Sequence, residues 1–137
     1  MSDFLLDNLA DLFEFLKFFG IAAVFVIIFV GVYSAVTRHD EIKLIKENST
    51  AAAIAFSGSL IGFALPLASA MISSVTILEM TIWGFVALIV QIIVYLLVRL
   101  PMPRISERIT ANEVAAGIWL GAASLVGGIL NAASMTT

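Results

Sequence analysis

Four long stretches without a charged residue dominate the pattern of hydrophobic and polar positions along the chain. They cover residues 18–36, 51–72, 80–98 and 114–135. A helix that crosses the hydrocarbon core of a bilayer needs about 20 mainly apolar residues, and each stretch meets that length. None of them alternates polar and apolar residues as a transmembrane β-strand does. The pattern therefore predicts an all-α membrane protein, a four-transmembrane-helix bundle.

The second and fourth stretches each place their small residues on one stripe. In the second, small residues recur at spacings of three and four from residue 52 to residue 73; in the fourth, the stripe comprises Gly117, Gly121, Ser124, Gly128 and Asn131. Residues at these spacings share one face of a helix, and membrane helices place small residues where their backbones pack closely. We therefore expect these two helices to form the inner pair of the bundle, with the first and third outside.

The two halves of the chain resemble each other. Residues 45–48 and 51–54 match residues 109–112 and 115–118, and residues 33–36 echo residues 95–98. This predicts two tandem helical-hairpin repeats of the same orientation, related by an axis along the membrane normal.

The composition agrees with a bilayer as the solvent. Of 137 residues, 61% are hydrophobic and 12% charged, and the mean hydropathy is +1.10; soluble domains are about 45–50% apolar and about 25% charged. We divide the chain into an acidic amphipathic N-terminal segment, residues 1–17, and a four-helix transmembrane domain, residues 18–137. With no cysteine and one histidine, His39, we predict no metal site and no cofactor. The net charge of −3 gives no reason to expect a nucleic-acid partner.

Residues 3–17 carry their acidic charges on one side. Asp3, Asp7, Asp11 and Glu14 share a helical face, and the leucines and phenylalanines lie largely opposite. This pattern is typical of an interfacial helix or of a water-exposed extension of the first span. The acidic face is either simply solvated or collects cations.

A few polar or helix-breaking residues inside the spans are candidates for a site. Pro66 lacks an N–H, so the carbonyl of Gly62 needs another donor: Ser59, Ser69, a neighbouring helix or water. Pro66 is then either a tolerated kink or a hinge beside a cavity. Gln91 and Asn131 either bond to a neighbouring helix or face a ligand. The candidate cavity or packing residues are Ser59, Gly62, Pro66, Ser69, Gln91, Gly121, Ser124, Gly128 and Asn131.

Local signals also predict anchors and helix starts. Tyr33, Trp83 and Tyr95 lie near the ends of spans, where aromatic residues anchor helices at the membrane interface. Asn48 is expected to cap the second span, and Thr110 with Glu113 is expected to form a capping box for the fourth.

Basic residues set the expected orientation. Lys17 alone lies on one side, whereas the first and third connections carry Arg38, Lys43, Lys46, Arg99, Arg104 and Arg108. The positive-inside rule places the basic loops 37–50 and 99–112 in the cytoplasm and both termini outside.

Three blocks of the sequence resemble a known family. NSTAAAIAFSGSLIGFALPLASA, IWGFVALIVQ and EVAAGIWLGAASLVGGILNAASM are similar to the YjfL-like bacterial inner-membrane proteins, domain-of-unknown-function family 350. The resemblance covers nearly the whole chain. It implies a multi-pass protein of the plasma membrane and carries over no catalytic residue.

Together these observations favour a role other than catalysis. No histidine or aspartate lies at membrane depth to activate a serine. The leading hypothesis is a structural or partner-recruiting component of the lipid bilayer that acts as a homo-oligomer and binds a cytoplasmic protein partner or anionic lipid through its basic loops. The alternative is a small ion or solute channel or transporter subunit, with a path lined by Ser57, Ser59, Gly62, Ser69, Gln91, Ser124 and Asn131.

Overall fold

Four long helices, joined in pairs by short ones, make up the architecture. The structure, a computed structural model, describes residues 2–37 and 40–135. Its helices are α1 (Ser2–Thr37), α2 (Glu41–Lys46), α3 (Thr50–Ser73), α4 (Ile77–Val98), α5 (Ile105–Thr110) and α6 (Val114–Met135). The long helices α1, α3, α4 and α6 are each long and apolar enough to cross a membrane. The predicted all-α, four-span fold is therefore confirmed, whereas the tandem repeat stays a prediction.

The first helix is much longer than the other three. At 1.5 Å per residue, the 36 residues of α1 extend about 54 Å, whereas the 22–24 residues of the other long helices extend about 33–36 Å. The predicted first span, 18–36, is only the later half of α1. Residues 3–17 continue the same helix without a break, and every one of them is exposed. The division of the chain at residue 17 stays a prediction.

The short helices α2 and α5 end in the same way. Each is followed by an asparagine in the left-handed region, Asn48 with a φ of 65° and Asn112 with a φ of 60°. Asparagine tolerates this conformation better than most residues and commonly ends a helix in it. The prediction that Asn48 caps α3 is therefore wrong, because an N-cap residue has extended backbone angles. The N-cap of α3 is Ser49, whose Oγ accepts a hydrogen bond from the Ala52 amide at 3.3 Å.

The predicted capping box at the start of α6 is also absent. The hydroxyl of Thr110 donates to the carbonyl of Ser106 at 2.8 Å, since Thr110 is the last residue of α5 rather than the cap of the next helix. A capping box does form at α4, where Thr76 and Glu79 each accept a hydrogen bond from the other's backbone amide. The sequence carried this signal, T-x-x-E, immediately before the third span.

The small-residue helices α3 and α6 form the inner pair. Both begin at the end of the bundle that carries α2 and α5, so they run parallel, and their mutual contact is the most extensive in the fold. α4 packs against both of them, and α1 packs against α3 and α4. The rings of Phe29 and Phe63 stack between α1 and α3 with centroids 4.6 Å apart. This arrangement buries Ser59 and Ser69 of α3, Gln91 of α4 and Ser124 of α6 in the interior of the bundle.

Candidate functional site

The backbones of α3 and α6 touch along a line of glycines. A Cβ atom added to Gly58 would lie 2.5 Å from the Cα atom of Gly121. One added to Gly62 would overlap the carbonyl of Ser124, and one added to Gly128 would overlap the carbonyl of Gly62. The close approach therefore requires glycine at these positions. It also leaves no space for a solute between the two inner helices.

Gln91 supplies the donor that Pro66 takes away. In a regular helix the amide of residue 66 would bond to the carbonyl of Gly62, but proline has no N–H. The side-chain Nε2 of Gln91 donates to the Gly62 carbonyl at 3.1 Å and to the Ser124 carbonyl at 3.1 Å. Gln91 lies on α4 and is 4% exposed. Of the four donors expected for Gly62, a neighbouring helix is therefore the one observed, and one amide group joins α3, α4 and α6.

A line of hydroxyl groups continues from this amide towards α1. Ser59 Oγ lies 3.1 Å from Ser124 Oγ and 3.1 Å from the hydroxyl of Tyr33. Ser59, Ser124 and Tyr33 are all buried. A buried hydroxyl without a partner is costly. These contacts therefore hold α1 against the inner pair in addition to the apolar packing.

A second polar cluster lies where α1 ends. Glu41, the first residue of α2, is fully buried, and its carboxylate accepts hydrogen bonds from Thr37 Oγ1 at 2.5 Å and from Ser34 Oγ at 2.7 Å. The carbonyl of Thr37 accepts from Ser106 and, at 3.4 Å, from the hydroxyl of Tyr95. The buried carboxyl group thus has hydroxyl partners, as a buried polar group requires.

The two clusters form one polar column inside the bundle. They meet at Tyr33, whose carbonyl lies 2.8 Å from Thr37 Oγ1 and whose hydroxyl contacts Ser59. A cavity of about 10 Å³ lies beside them, between the rings of Tyr33 and Tyr95 and the side chain of Gln91. A single water molecule needs roughly 10–15 Å³, so this cavity has room for about one. We define the polar column as Glu41, Thr37, Tyr33, Tyr95, Ser106, Ser59, Ser124 and Gln91.

The remaining predicted residues lie further along α3 and α6. Ser69 is buried, and its hydroxyl donates to the carbonyl of Ala132 at 3.1 Å. Asn131 is half-buried, and its Nδ2 atom is enclosed without a hydrogen-bond partner in the described part of the chain. These residues are separate from the polar column.

The structure thus collects most of the predicted site residues at one contact. Ser59, Gly62, Pro66, Gln91, Gly121, Ser124 and Gly128 are all buried between α3, α4 and α6. Ser57, expected in a permeation path, instead lies exposed on the outer side of α3. His39 lies outside the described residues. That these residues line a functional cavity, and do not only pack the helices together, stays a prediction.

Sequence reasoning missed the half of the column near α2. Tyr33 and Tyr95 were expected to anchor their helices at the membrane interface, and this is wrong because both are buried, 6% and 3% exposed, with hydroxyls bonded inside the bundle. Glu41 falls in a charged stretch that reads as a solvated loop. The one available signal was the spacing of four residues between Tyr33 and Thr37, which places their side chains on one face of α1; Glu41 lies on the next helix, and no helical spacing relates it to them.

The end of the bundle that carries α2 and α5 also has an open concavity. We call this end the basic end; its described cations are Lys43, Lys46, Arg99, Arg104 and Arg108. The concavity measures about 420 Å³ and is lined by Tyr95, Arg99, Pro103, Arg104, Ser106, Glu107 and Thr110. Arg104 forms an ion pair with Glu107 at 2.9 Å, and Arg108 one with Glu113 at 3.2 Å. Lys43, Lys46 and Arg99 form none with a described residue.

Comparisons with known proteins give one consistent result. The family model described as Domain of Unknown Function (DUF350) matches residues 5–135. The UPF0719 inner membrane protein YjfL of Escherichia coli strain K12 is 48% identical over 128 residues, which cover 93% of this chain and 97% of that protein. The protein of the same name from Escherichia coli O157:H7 matches to the same extent. No solved structure matches the chain.

Proposed function

The chain belongs to the DUF350 family, and from that premise we propose that it is a non-enzymatic, structural component of the membrane that acts as a homo-oligomer and recruits a partner through its basic end. It is an integral inner-membrane protein, similar over almost its whole length to one from Escherichia coli. Neither the family description nor the relatives' names state a reaction. The proposal therefore depends on the geometry of the bundle.

The closed interior is the observation that carries the proposal. The inner helices meet backbone to backbone at Gly58, Gly62 and Gly128. The cavity beside the polar column measures about 10 Å³, which is below what a hydrated ion or small solute needs. Among the described residues, neither the contact of the inner helices nor this cavity has room for such a species, which supports a role for the polar residues in joining helices.

The basic end supplies the surface for a partner. By the positive-inside rule this end faces the cytoplasm. Arg99, which forms no ion pair with a described residue, lines its concavity together with Arg104, which is paired with Glu107. Arginine guanidinium groups suit carboxylates, so an acidic segment of a cytoplasmic protein is the partner whose chemistry fits best.

A channel or transporter subunit is the second candidate function. The observation that favours it is the polar column, since a buried carboxylate and a line of hydroxyls are also the parts of a proton or ion path. In this conformation the column stops at Gln91 and Gly62. Permeation would require α3 to move at Pro66 and Gln91 to release both carbonyls.

Flux through reconstituted protein separates the two candidates. We expect purified full-length protein, in vesicles of phosphatidylethanolamine and phosphatidylglycerol, to pass protons, potassium and glycerol no faster than protein-free vesicles. Entry of any of these species at a rate proportional to the protein content, and lowered by Glu41→Gln, would overturn the proposal in favour of a channel.

Site-specific crosslinking tests the recruiting surface directly. A photoreactive amino acid at Thr110, inside the concavity, should crosslink a discrete cytoplasmic protein in intact cells. The matched control carries the same photoreactive amino acid in place of Ile118, which is exposed on the apolar face of α6. The crosslink should fall at least about tenfold when Arg99 and Arg104 are both changed to glutamine. Crosslinking that is unaffected by this double change would exclude an acidic partner at this site.

A further inference from the structure

The first part of α1 carries large apolar side chains that the rest of the chain does not cover. Leu5, Leu9, Leu12 and Leu16 are 52–60% exposed. At 1.5 Å per residue, α1 is about 20 Å longer than the other long helices, and a hydrocarbon core measures about 30 Å. The four acidic residues of this segment also disfavour burial in hydrocarbon. Residues 3–17 therefore extend beyond the hydrocarbon core, with their apolar side chains exposed.

Four of the five exposed leucines of this segment, all except Leu6, follow the repeat of a coiled coil together with Phe19. Leu5, Leu9, Leu12, Leu16 and Phe19 succeed one another at spacings of four, three, four and three residues, a mean period of 3.5. That period is the seam of two or more helices wound around each other. We call these five residues the leucine seam. With the seam at heptad positions a and d, the acidic residues of the segment fall at the outer positions b, c and f.

The leucine seam faces away from its own bundle. Further along α1, the side chains buried against the bundle are those of Ala22, Phe25, Phe29 and Tyr33. At 3.6 residues per turn, the centre of the seam lies about 120° around the helix axis from the centre of that buried stripe. The acidic residues lie instead above the buried stripe. Among the described residues, no other element covers the seam.

We propose that a second copy of this chain covers the leucine seam, through a parallel coiled coil of the two N-terminal segments of α1. The membrane gives every copy the same direction, so identical heptads meet in register. The acidic residues stay on the outside of the pair, where like charges do not meet. Five side chains contributing about 100 Å² each bury about 1,000 Å² in total, which reaches the lower limit for a specific interface. The inference rests on the proposed function in one respect, the homo-oligomer, and names its contact.

The cysteine-free chain allows a direct test by disulfide scanning. Single cysteines replace Leu5, Leu9, Leu12 or Leu16 in the full-length protein, which is oxidised in its native membrane. A disulfide requires Cβ atoms about 3.5–4.5 Å apart, and matching a and d residues of a parallel pair come close to that distance. We expect each seam cysteine to give at least about tenfold more covalent dimer than an outer-face control, with a period of 3.5 residues.

The controls are Asp7→Cys, Ala10→Cys and Glu14→Cys, which are also exposed on α1. Equal dimer yields at all positions, or no dimer at the seam, would overturn the inference. If lipid headgroups rather than a second copy cover the seam, the seam cysteines will form no dimer and will react slowly with a water-soluble maleimide.

A second variant ties the yield to the seam itself. Leu9→Glu combined with Leu12→Glu should lower dimer formation through the Leu5→Cys cysteine at least about tenfold, whereas Ala10→Glu should not. If the seam cysteines form no covalent dimer while light scattering still finds an oligomer, the proposed function survives with a different contact between the copies. If vesicle flux is found while the seam crosslinks, the inference stands and the proposed function does not.

Discussion

Replacing Gln91 by leucine should destabilise the bundle, and the loss should depend on Pro66. Gln91→Leu keeps a side chain of similar size but removes both hydrogen bonds of Nε2. In the native sequence the Gly62 carbonyl then has no donor, because Pro66 has no N–H to offer. In a Pro66→Ala background the amide of residue 66 can bond to that carbonyl, so the same loss is partly compensated.

The magnitude follows from what each carbonyl loses. The Ser124 carbonyl keeps its helical bond from the amide of Gly128, so it contributes about 0.6 kcal/mol, the average for a hydrogen bond between membrane helices. The Gly62 carbonyl is left buried and unpaired, which costs about 1–3 kcal/mol. Gln91→Leu alone should therefore cost about 1.6–3.6 kcal/mol. In the Pro66→Ala background it should cost about 0.6 kcal/mol, a coupling of about 1–3 kcal/mol.

The assay is reversible unfolding in mixed micelles of the native protein, Gln91→Leu, Pro66→Ala and the double variant. Far-ultraviolet circular dichroism follows the unfolding as the fraction of denaturing detergent rises. Ile93→Leu, at an exposed position on α4, controls for the general effect of substitution and should change the free energy of unfolding by less than about 0.5 kcal/mol. Equal losses for Gln91→Leu in both backgrounds would refute the reasoning, because Gln91 would then not be replacing the bond that Pro66 lacks.

Three further changes test other contacts of the bundle by the same unfolding assay. Gly128→Ala should cost about 1–3 kcal/mol, since its Cβ overlaps the opposite backbone, whereas Gly31→Ala, with nothing within 4 Å, should be neutral or stabilising. Asn112→Gly keeps the left-handed backbone but removes the side-chain oxygen that accepts from the amide of residue 51 at 3.0 Å. It should therefore cost about 1 kcal/mol. Its control is Asn48→Gly, at a similar backbone angle, which should cost less than half of that. Tyr33→Phe removes one buried hydroxyl contact and should cost about 0.5–1.5 kcal/mol; a neutral result would exclude that hydroxyl from holding α1 in place.

Sequence patterns predicted the spans and the inner pair because both depend on one-dimensional signals. The number of uncharged residues sets whether a helix can cross the hydrocarbon. Glycine and serine at spacings of three and four mark the face on which two backbones approach each other. Gly58, Gly62 and Gly121 meet across that contact. For Pro66, the missing N–H was enough to identify Gly62 as the carbonyl that needs a donor.

The partners of that carbonyl and of the tyrosines depend on where α4 and the short helices lie, which no local pattern states. Gln91 was recognised as a buried amide, but its rotation and height relative to α3 are set by packing. Tyr95 reaches Ser106 only because α5, which packs on α3 and α6, brings Ser106 to the Tyr95 hydroxyl. Glu41 is buried where α2 packs on α3, with hydrogen bonds from Ser34 and Thr37. In a sequence, a charged residue in a connection reads as solvated, since most are.

The glycine contact and the polar column depend on each other, and this bears on the role of Pro66. One amide group can bond to Gly62 and Ser124 together only because the backbones of α3 and α6 touch, which brings the two carbonyls within 3.1 Å of the same nitrogen. Pro66 leaves one of these carbonyls available, and Gln91 uses it to hold α4 against both inner helices. Because the carbonyl that Pro66 deprives of its helical donor is already bonded to Gln91, the kink is a fixed structural feature. To act as a hinge, Pro66 would first have to separate Gln91 from Gly62, so any opening of α3 carries at least the cost of leaving that carbonyl without a donor.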